Sequence, residues 1–536
     1  MEANLVQAVV AVLTVSFILR QCGRALWYLV WRPYAVARWF RRQGIQGPPY
    51  RLVVGSLPEF RRLLISGRAY ALDAGCHDYA SLVYPFFQKM TSKYGRTFLC
   101  WLGPIPTICS TDMELVKQVL ADRTNLFQKA YSLNHKFEII LGKGLVFVNG
   151  DDWKRQRRVV HPVFNPERLV SMSAIASESS QQMMERWFAK IKRGDGHQVE
   201  TDISCDFNEL TLTVITWVIY GKNYEDASGV MQLLREVQAL TVSSFLDPPI
   251  PWFRYLPTLR NLRLRQLDKL VTSKITRLIQ ERVTNKDAEG GYGDDLLGPM
   301  VQAWSDAGTL SMEEIIGECK TFLAAGQDTS GNLLAWVMFL LSSYPEWQEK
   351  VREEVLRECP DNNGVPSVDA LRKLKMLNTT LLEALRLYNP VPFMLRKTAT
   401  DTTLANIRVP KGTTIMIPIA MLHRDKDVWG ADSNEFNPMR FENGISRAAN
   451  HPNALFSFSY GPRACIGQNF AMIEAQTVVS MILRRFSFSP SPNYVHKPTN
   501  KITLTPKYGV PLIVKHCSMM GETKFELLLG LMFEEL

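Results

Sequence analysis

The chain is short of the features that mark most non-globular classes. No long low-complexity run and no internal repeat interrupts residues 45–515, so nothing there looks like a domain linker and one large core is the simpler account. Lys and Arg number 62 against 52 Asp and Glu, a net charge of +10, yet no basic tract is dense enough for nucleic-acid binding. The excess suits an anionic membrane surface or an acidic partner protein. Nine cysteines, odd in number and widely scattered, supply no disulfide framework and point to a reducing compartment. No basic residue precedes the apolar run at the N-terminus and no convincing small-residue cleavage site follows it, which argues against a removed signal peptide.

What is present is a large supply of core: 46% of the 536 residues are hydrophobic, enough for one big domain. Leu5 to Leu19 is almost uninterrupted apolar sequence, softened only by Gln7, Thr14 and Ser16. A bilayer span needs about 20 residues, reached here through Ala25, Leu26 and Trp27 if Arg20 and Arg24 snorkel to the interface. The following cations, Arg20, Arg24, Arg32, Arg38, Arg41 and Arg42, put the N-terminus across the membrane and the body in the cytoplasm. Residues 44–49, GIQGPP, read as a stiff hinge. The expected organisation is a transmembrane anchor over 1–30, a basic, proline-containing hinge over 31–50, a catalytic body over 51–515, and a tail over 516–536 to which no role is assigned.

Local patterns predict several elements of the body. Arg96 to Trp101 and Pro106 to Cys109 read as a hairpin, and Asp112 as the cap of a helix over Met113 to Leu120. Ser311 and Glu314 form a capping-box pattern that opens a helix running through Leu341. Glu167 to Thr284 reads as successive amphipathic helices. Ile415 to Ala420 suggests a strand, and Ile502 to Leu504 with Val510 to Val514 suggest a closing hairpin turning at Tyr508-Gly509. Phe245 to Pro257 is too rich in proline for a helix and too apolar for a solvated loop. It is either packed core or a segment dipping into the membrane interface.

One stretch carries distinctive chemistry. Gly461 and Gly467 flank Cys465 and allow a tight turn with close backbone approach, and a helix from Ile466 to Phe486 follows. That places Cys465 at a helix N-terminus, where the dipole and free N–H groups favour thiolate. With Phe458 as an apolar shield and Arg463 as a nearby cation, the thiolate suits an axial haem ligand. A lone cysteine on such a helix is ordinarily inert core, so the stretch matters as a unit.

Phe458, Gly461, Arg463, Cys465 and Gly467 match F-x-x-G-x-R-x-C-x-G in full, and the chain resembles the cytochrome P450 superfamily from about Trp31 to Lys515. The resemblance implies a mostly α fold with a small β-rich lobe, a haem cofactor, and Cys465 as the iron ligand, whose thiolate pushes electron density onto iron. Ala325-Gly326-Gln327-Asp328-Thr329-Ser330 matches A/G-G-x-D/E-T-T/S, where the resemblance implies that the helix opens to seat dioxygen. Thr329 then donates a hydrogen bond, Asp328 relays protons, and Ala325 and Gly326 keep bulk away. Read without the resemblance, Thr329 is a weak spot bonding back to its own helix.

The other implied roles follow the same motifs. Trp153 and Arg157, in W-x-x-x-R, would bond a haem propionate, as would Arg396; alone the pair reads as a surface turn. Glu383 and Arg386, in E-x-x-R, join Arg440 in a buried network that shapes the haem surroundings; alone they read as an exposed pair. His423 is expected to be structural. Val391, Phe393 and Met394 are expected to face substrate, with Ala325 and Tyr508, and so are the loops Phe127 to Leu141 and Phe245 to Pro257.

The implied function is monooxygenation of a hydrophobic small molecule, with O2 as co-substrate and electrons from NADPH through a cytochrome P450 reductase docking on the basic face near Cys465. The blocks around Trp153 and His423 resemble a plant clan that oxidises fatty acids, terpenoids and hormones. Its members are tethered through membrane lipid at the endoplasmic reticulum. The rival functions are haem-thiolate rearrangement or dehydration without O2, and a haem sensor or carrier. Neither needs the Asp328–Thr329 pair.

Overall fold

The computed structural model of the chain describes residues 2–67, 70–130, 139–194, 196–221, 224–243, 256–287, 291–360 and 365–517. Most of the Phe245–Pro257 stretch, residues 131–138 of the Phe127–Leu141 stretch, and the tail beyond 517 lie outside the described residues.

The N-terminal apolar run forms the helix Glu2–Leu26, continues through a π-turn at Trp27–Trp31, and passes directly into the helix Arg32–Arg41. Within Val9–Arg41 an 18-residue window of mean hydropathy 1.5 is unburied, and the span is long and apolar enough to cross a membrane. The expected hinge is not one. Gly44, at φ +82, ends the helix, but the segment around it is docked on the body. Val36 and Phe40 are buried, Trp39 Nε1 donates to the Arg408 carbonyl at 3.0 Å, and Gln43 bonds Arg408 in both directions. The Tyr50 hydroxyl reaches the Leu29 carbonyl at 2.7 Å, and its ring packs on Trp101 at 5.0 Å. Burial and these hydrogen bonds override the flexibility that a Gly/Pro stretch signals.

The body is built around the helix Met312–Ser343, 32 residues long. It starts where the Ser311–Glu314 capping box satisfies the first free N–H groups in both directions, and it is buried almost throughout from Ile315. A helix buried on nearly every face belongs in the centre of a large domain. The helices Ile203–Tyr220, Lys375–Leu387 and Gln468–Arg485 pack against it. Pro166–Arg193 packs on the last of these.

Strands are few and short. Thr97–Leu102, Ile105–Ser110, Thr414–Ile417, Met394–Thr398 and Phe127–Lys129 form a five-stranded sheet in that spatial order. The hairpin and the Asp112 cap are as expected. Ile415 to Ala420 is a strand only to Ile417, after which Pro418 leads into a short helix. The closing hairpin does not form. Leu504–Pro506 pairs with Pro498–Asn500, while Pro511–His516 is the middle strand between Gln198–Asp202 and Phe486–Pro490. The strand Gln198–Asp202 interrupts the expected run of helices. The result is mostly α with small sheets, as the resemblance implies.

Candidate functional site

The cysteine loop is shaped by its neighbours more than by the helix behind it. Gly461 takes φ +72, and a Cβ there would lie 2.5 Å from the Leu120 carbonyl oxygen, so only glycine fits. The Cys465 N–H then closes the loop on the Phe458 carbonyl at 2.8 Å. Gly467 behaves differently from expectation: its φ is −91, and a Cβ would meet nothing nearer than Phe164 at 4.0 Å. The helix starts at Gln468, not Ile466. The Gly467 N–H bonds the sulfur and favours thiolate, but desolvation outweighs it and the thiol is pushed up. Cys465 is nonetheless accessible. A sulfur both accessible and desolvated faces an internal recess, not the outer surface.

Four cations surround that recess. Arg463 donates to the Val148 carbonyl and to Asn149 Oδ1 at 2.8 and 3.1 Å, and Arg157 to the Ala464 carbonyl at 3.2 Å. Both guanidinium groups lie over the Trp153 ring, at 4.2 and 5.5 Å. Arg396 is 2% exposed. Among the described residues it bonds only its neighbour's carbonyl, and its Nη2 has no partner. Directly opposite in the sheet register stands Lys129, a like-charged pair that ordinarily destabilises a sheet. Desolvation and mutual repulsion hold Lys129 well below the usual lysine range and bring Arg463 down to about 10. Burial alone does the same to Arg396.

Among the described residues no carboxylate forms an ion pair with any of the four. Asp122 acts on Arg396 from a distance, and is itself bonded to Thr124 and the Phe127 N–H. One buried and three partly buried cations without an ion-pair partner, beside an inward sulfur, fit a group that brings its own carboxylates and a metal that takes thiolate. Haem has both, and Cys465, Trp153, Arg157, Arg396 and Arg463, each expected to bind it, come together here. Lys129 and Asn149 escaped sequence reading: Lys129 acquires meaning only from its register opposite Arg396, and Asn149 Oδ1 from joining Arg463 to the Lys129 N–H.

The long helix runs unbroken through 325–330. The Thr329 hydroxyl donates to the Ala325 carbonyl at 2.7 Å, Thr211 to Gln327 at 3.2 Å and Asn332 to Asp328 at 2.6 Å. The helix is therefore loaded with side-chain donors where an opening was expected. Gly326 does not clear space for oxygen: a Cβ there would strike Ile215 at 2.6 Å, so its smallness serves helix packing. Asp328 is raised by burial and accepts from Gln238 Nε2 at 3.0 Å. Ser330 hydrogen-bonds Glu474, on the helix that follows Cys465, which ties the Asp328–Thr329 stretch to the cysteine side.

The framework behind the loop is close to expectation. Glu383 and Arg386 are fully buried and bidentate, both contacts at 2.7 Å. Arg440 is a looser third member, 3.7 Å from Glu383 and paired mainly with Asp432 at 2.7 Å. His423 accepts the Phe456 N–H at 2.9 Å and is structural. Two pocket expectations need correction. Tyr508 is 55% exposed beneath Lys507 on the outer surface, because the expected hairpin turn does not form. Met394 is buried in a core cluster, where its sulfur accepts the Ser459 hydroxyl at 3.3 Å. Strand alternation separates it from Val391 and Phe393, which stay partly exposed with Ala325.

The family model described as "Cytochrome P450" matches residues 76–512. The chain is similar to "Cytochrome P450 709B1" of Arabidopsis thaliana, 40% identical over 498 residues covering 92% of this chain and 95% of the relative. It is 37% identical to "Cytochrome P450 734A6" of Oryza sativa subsp. japonica over 507 residues, 92% and 93% of the two chains. It is also 35% identical to "7-deoxyloganic acid hydroxylase" of Catharanthus roseus over 525 residues, 96% and 99%.

Proposed function

The chain belongs to the cytochrome P450 family and is a haem-thiolate monooxygenase, and we propose that it inserts one atom of O2 into a C–H bond of a fatty acid, terpenoid or plant hormone, with electrons from NADPH through a membrane-bound reductase. The observation that supports the site assignment is an inward-facing cysteine beside four cations that have no carboxylate ion-pair partner among the described residues. Haem bound there supplies oxygen activation, with thiolate ligation favouring O–O cleavage. Cys465 would ligate iron. Trp153, Arg157, Arg396, Arg463 and Lys129 would bond the propionates, fixing the ring's orientation and neutralising charge in both directions.

Asp328 and Thr329 would carry protons to the oxygen. Val391, Phe393 and Ala325 would present apolar surface to the substrate. A groove of about 460 Å³ lined by Trp153, Lys154, Arg157, Arg158, His161 and Pro162 opens on the outer side of this region. Its positive charge suits the acidic face of a reductase. The unburied N-terminal helix and the cations following it support residence in the endoplasmic reticulum membrane with the body in the cytoplasm. The relative named as a hydroxylase supports hydroxylation. The acid–alcohol pair argues against rearrangement without O2 and against a haem carrier.

Replacing Cys465 by Ser tests the site directly. The expected result is loss of the red-shifted Soret band of the ferrous carbonyl complex; an unchanged band overturns the assignment.

A further inference from the structure

Asp328 does not stand free beside Thr329. Its Oδ2 accepts from Gln238 Nε2 at 3.0 Å, and Gln238 lies on the helix Tyr224–Ser243. The residue before it, Val237, sits with Ile140, Leu264, Leu267 and Ala324 in a small apolar cluster separate from the main core. Ala324 is the long helix's member of that cluster, one turn before Asp328. The cluster forms a roof that touches the long helix beside the acid. Two cations face the carboxyl: Arg235 from the roof helix and Lys501 from the turn after Pro498–Asn500. Both favour its charged form against the opposing effect of burial. The long-helix backbone is fixed independently, through Asn332, which bonds the Asp328 carbonyl and Thr503 Oγ1 at 2.6 and 3.2 Å.

We infer that Gln238 is a positioning residue for Asp328, tying its carboxyl to the roof helix so that proton delivery depends on where that helix sits. This rests on Asp328 being the proton-relaying acid. An amide N–H donated to a carboxylate stabilises the charged form and fixes its direction. A hydrogen bond at 3.0 Å is lost once the partners separate beyond about 3.5 Å, so a small outward shift of the roof frees the carboxyl. Without that hydrogen bond the carboxyl loses one interaction favouring its charged form and more readily takes up a proton that it can pass on. Molecules that lift the roof would thereby be coupled to proton delivery, and the roof would hold the acid back when none is bound.

The test uses the full-length holoenzyme with Gln238→Leu, the size-conserving Gln238→Glu, and Asp328→Asn. The infrared carboxyl band of Asp328, assigned by its loss in Asp328→Asn, is titrated with pH. Gln238→Leu should raise the midpoint by about one unit, the effect of removing one hydrogen bond to the charged form. Gln238→Glu should raise it further through like charge. NADPH oxidation without added substrate, in the presence of a plant cytochrome P450 reductase, should rise several-fold in Gln238→Leu. The double variant with Asp328→Asn should behave as Asp328→Asn alone. An unmoved midpoint in both Gln238 variants, with Asp328→Asn altering NADPH oxidation, overturns the role of Gln238 and leaves Asp328 standing. Unchanged NADPH oxidation in Asp328→Asn removes the acid's role, and the inference with it.

Discussion

Two buried arginines in this chain face opposite circumstances. Arg386 is fully buried and answered on every side: Glu383 takes two of its N–H groups, and the carbonyls of His423, Ser433 and Glu435 take others at 2.8, 2.6 and 3.1 Å. Arg396, 2% exposed, has one neighbouring carbonyl, an unpartnered Nη2, and Lys129 directly across the sheet. The first site is electrostatically complete in the folded chain. The second is complete only with an anion. A protein keeps an uncompensated buried charge where something else is to neutralise it, so the difference separates framework from binding site more sharply than burial does.

The strongest way to break that comparison is at the completed site. Glu383→Ala strands Arg386 without its counter-charge and should cost about 3–5 kcal/mol, enough to abolish folding of both apo- and holoprotein, read as soluble yield and denaturant midpoint. Next in size is Arg396→Leu. It removes a charge that no carboxylate pairs with among the described residues, so the apoprotein should be as stable as the parent or more so. Haem affinity should fall at least tenfold, since a hydrogen bond to a charged group contributes about 1.5–3 kcal/mol. If Arg396→Leu destabilised the apoprotein as Glu383→Ala does, the contrast between the two arginines would collapse.

The smallest effect concerns a buried acid with equally little support. Glu474 is 2% exposed, its Oε2 has no partner, and burial raises it to about 8 against an ordinary 4.5. Between those two values the folded chain holds a proton that the unfolded chain has released, so stability falls as pH rises from about 4.5 to 8. Glu474→Gln removes this slope. It should match the parent near pH 4.5 and gain thermal stability relative to it as pH approaches 8, measured as paired melting temperatures. A constant offset across that range would mean that Glu474 is ionised in the fold.

The legible parts of the site were those written in contiguous residues. The cysteine signature, the acid–alcohol stretch and the E-x-x-R pair each occupy a few neighbouring positions, and the Ser311 and Asp112 caps act over a single turn. Where an expectation failed, a distant partner had intervened. Gly326 is glycine because Ile215 packs against it. The 31–50 segment is docked because Arg408 and Leu29 accept its hydrogen bonds. Tyr508 faces outward because Pro511–His516 pairs with Gln198–Asp202 instead of with its neighbour in sequence. Lys129 and Gln238 carried no local signal at all.

From its order of residues alone the chain determined its central helix and its membrane-length N-terminal helix, because each depends on capping and periodicity over short spans, while its class and its cysteine loop were legible as contiguous motifs that resemble a known family. Tertiary structure decided which cations meet without counter-charge, which amide restrains Asp328, and which glycines serve packing. Those are properties of strand register and helix contact between remote segments, and electrostatic energy depends on distance in space, whatever the separation along the chain.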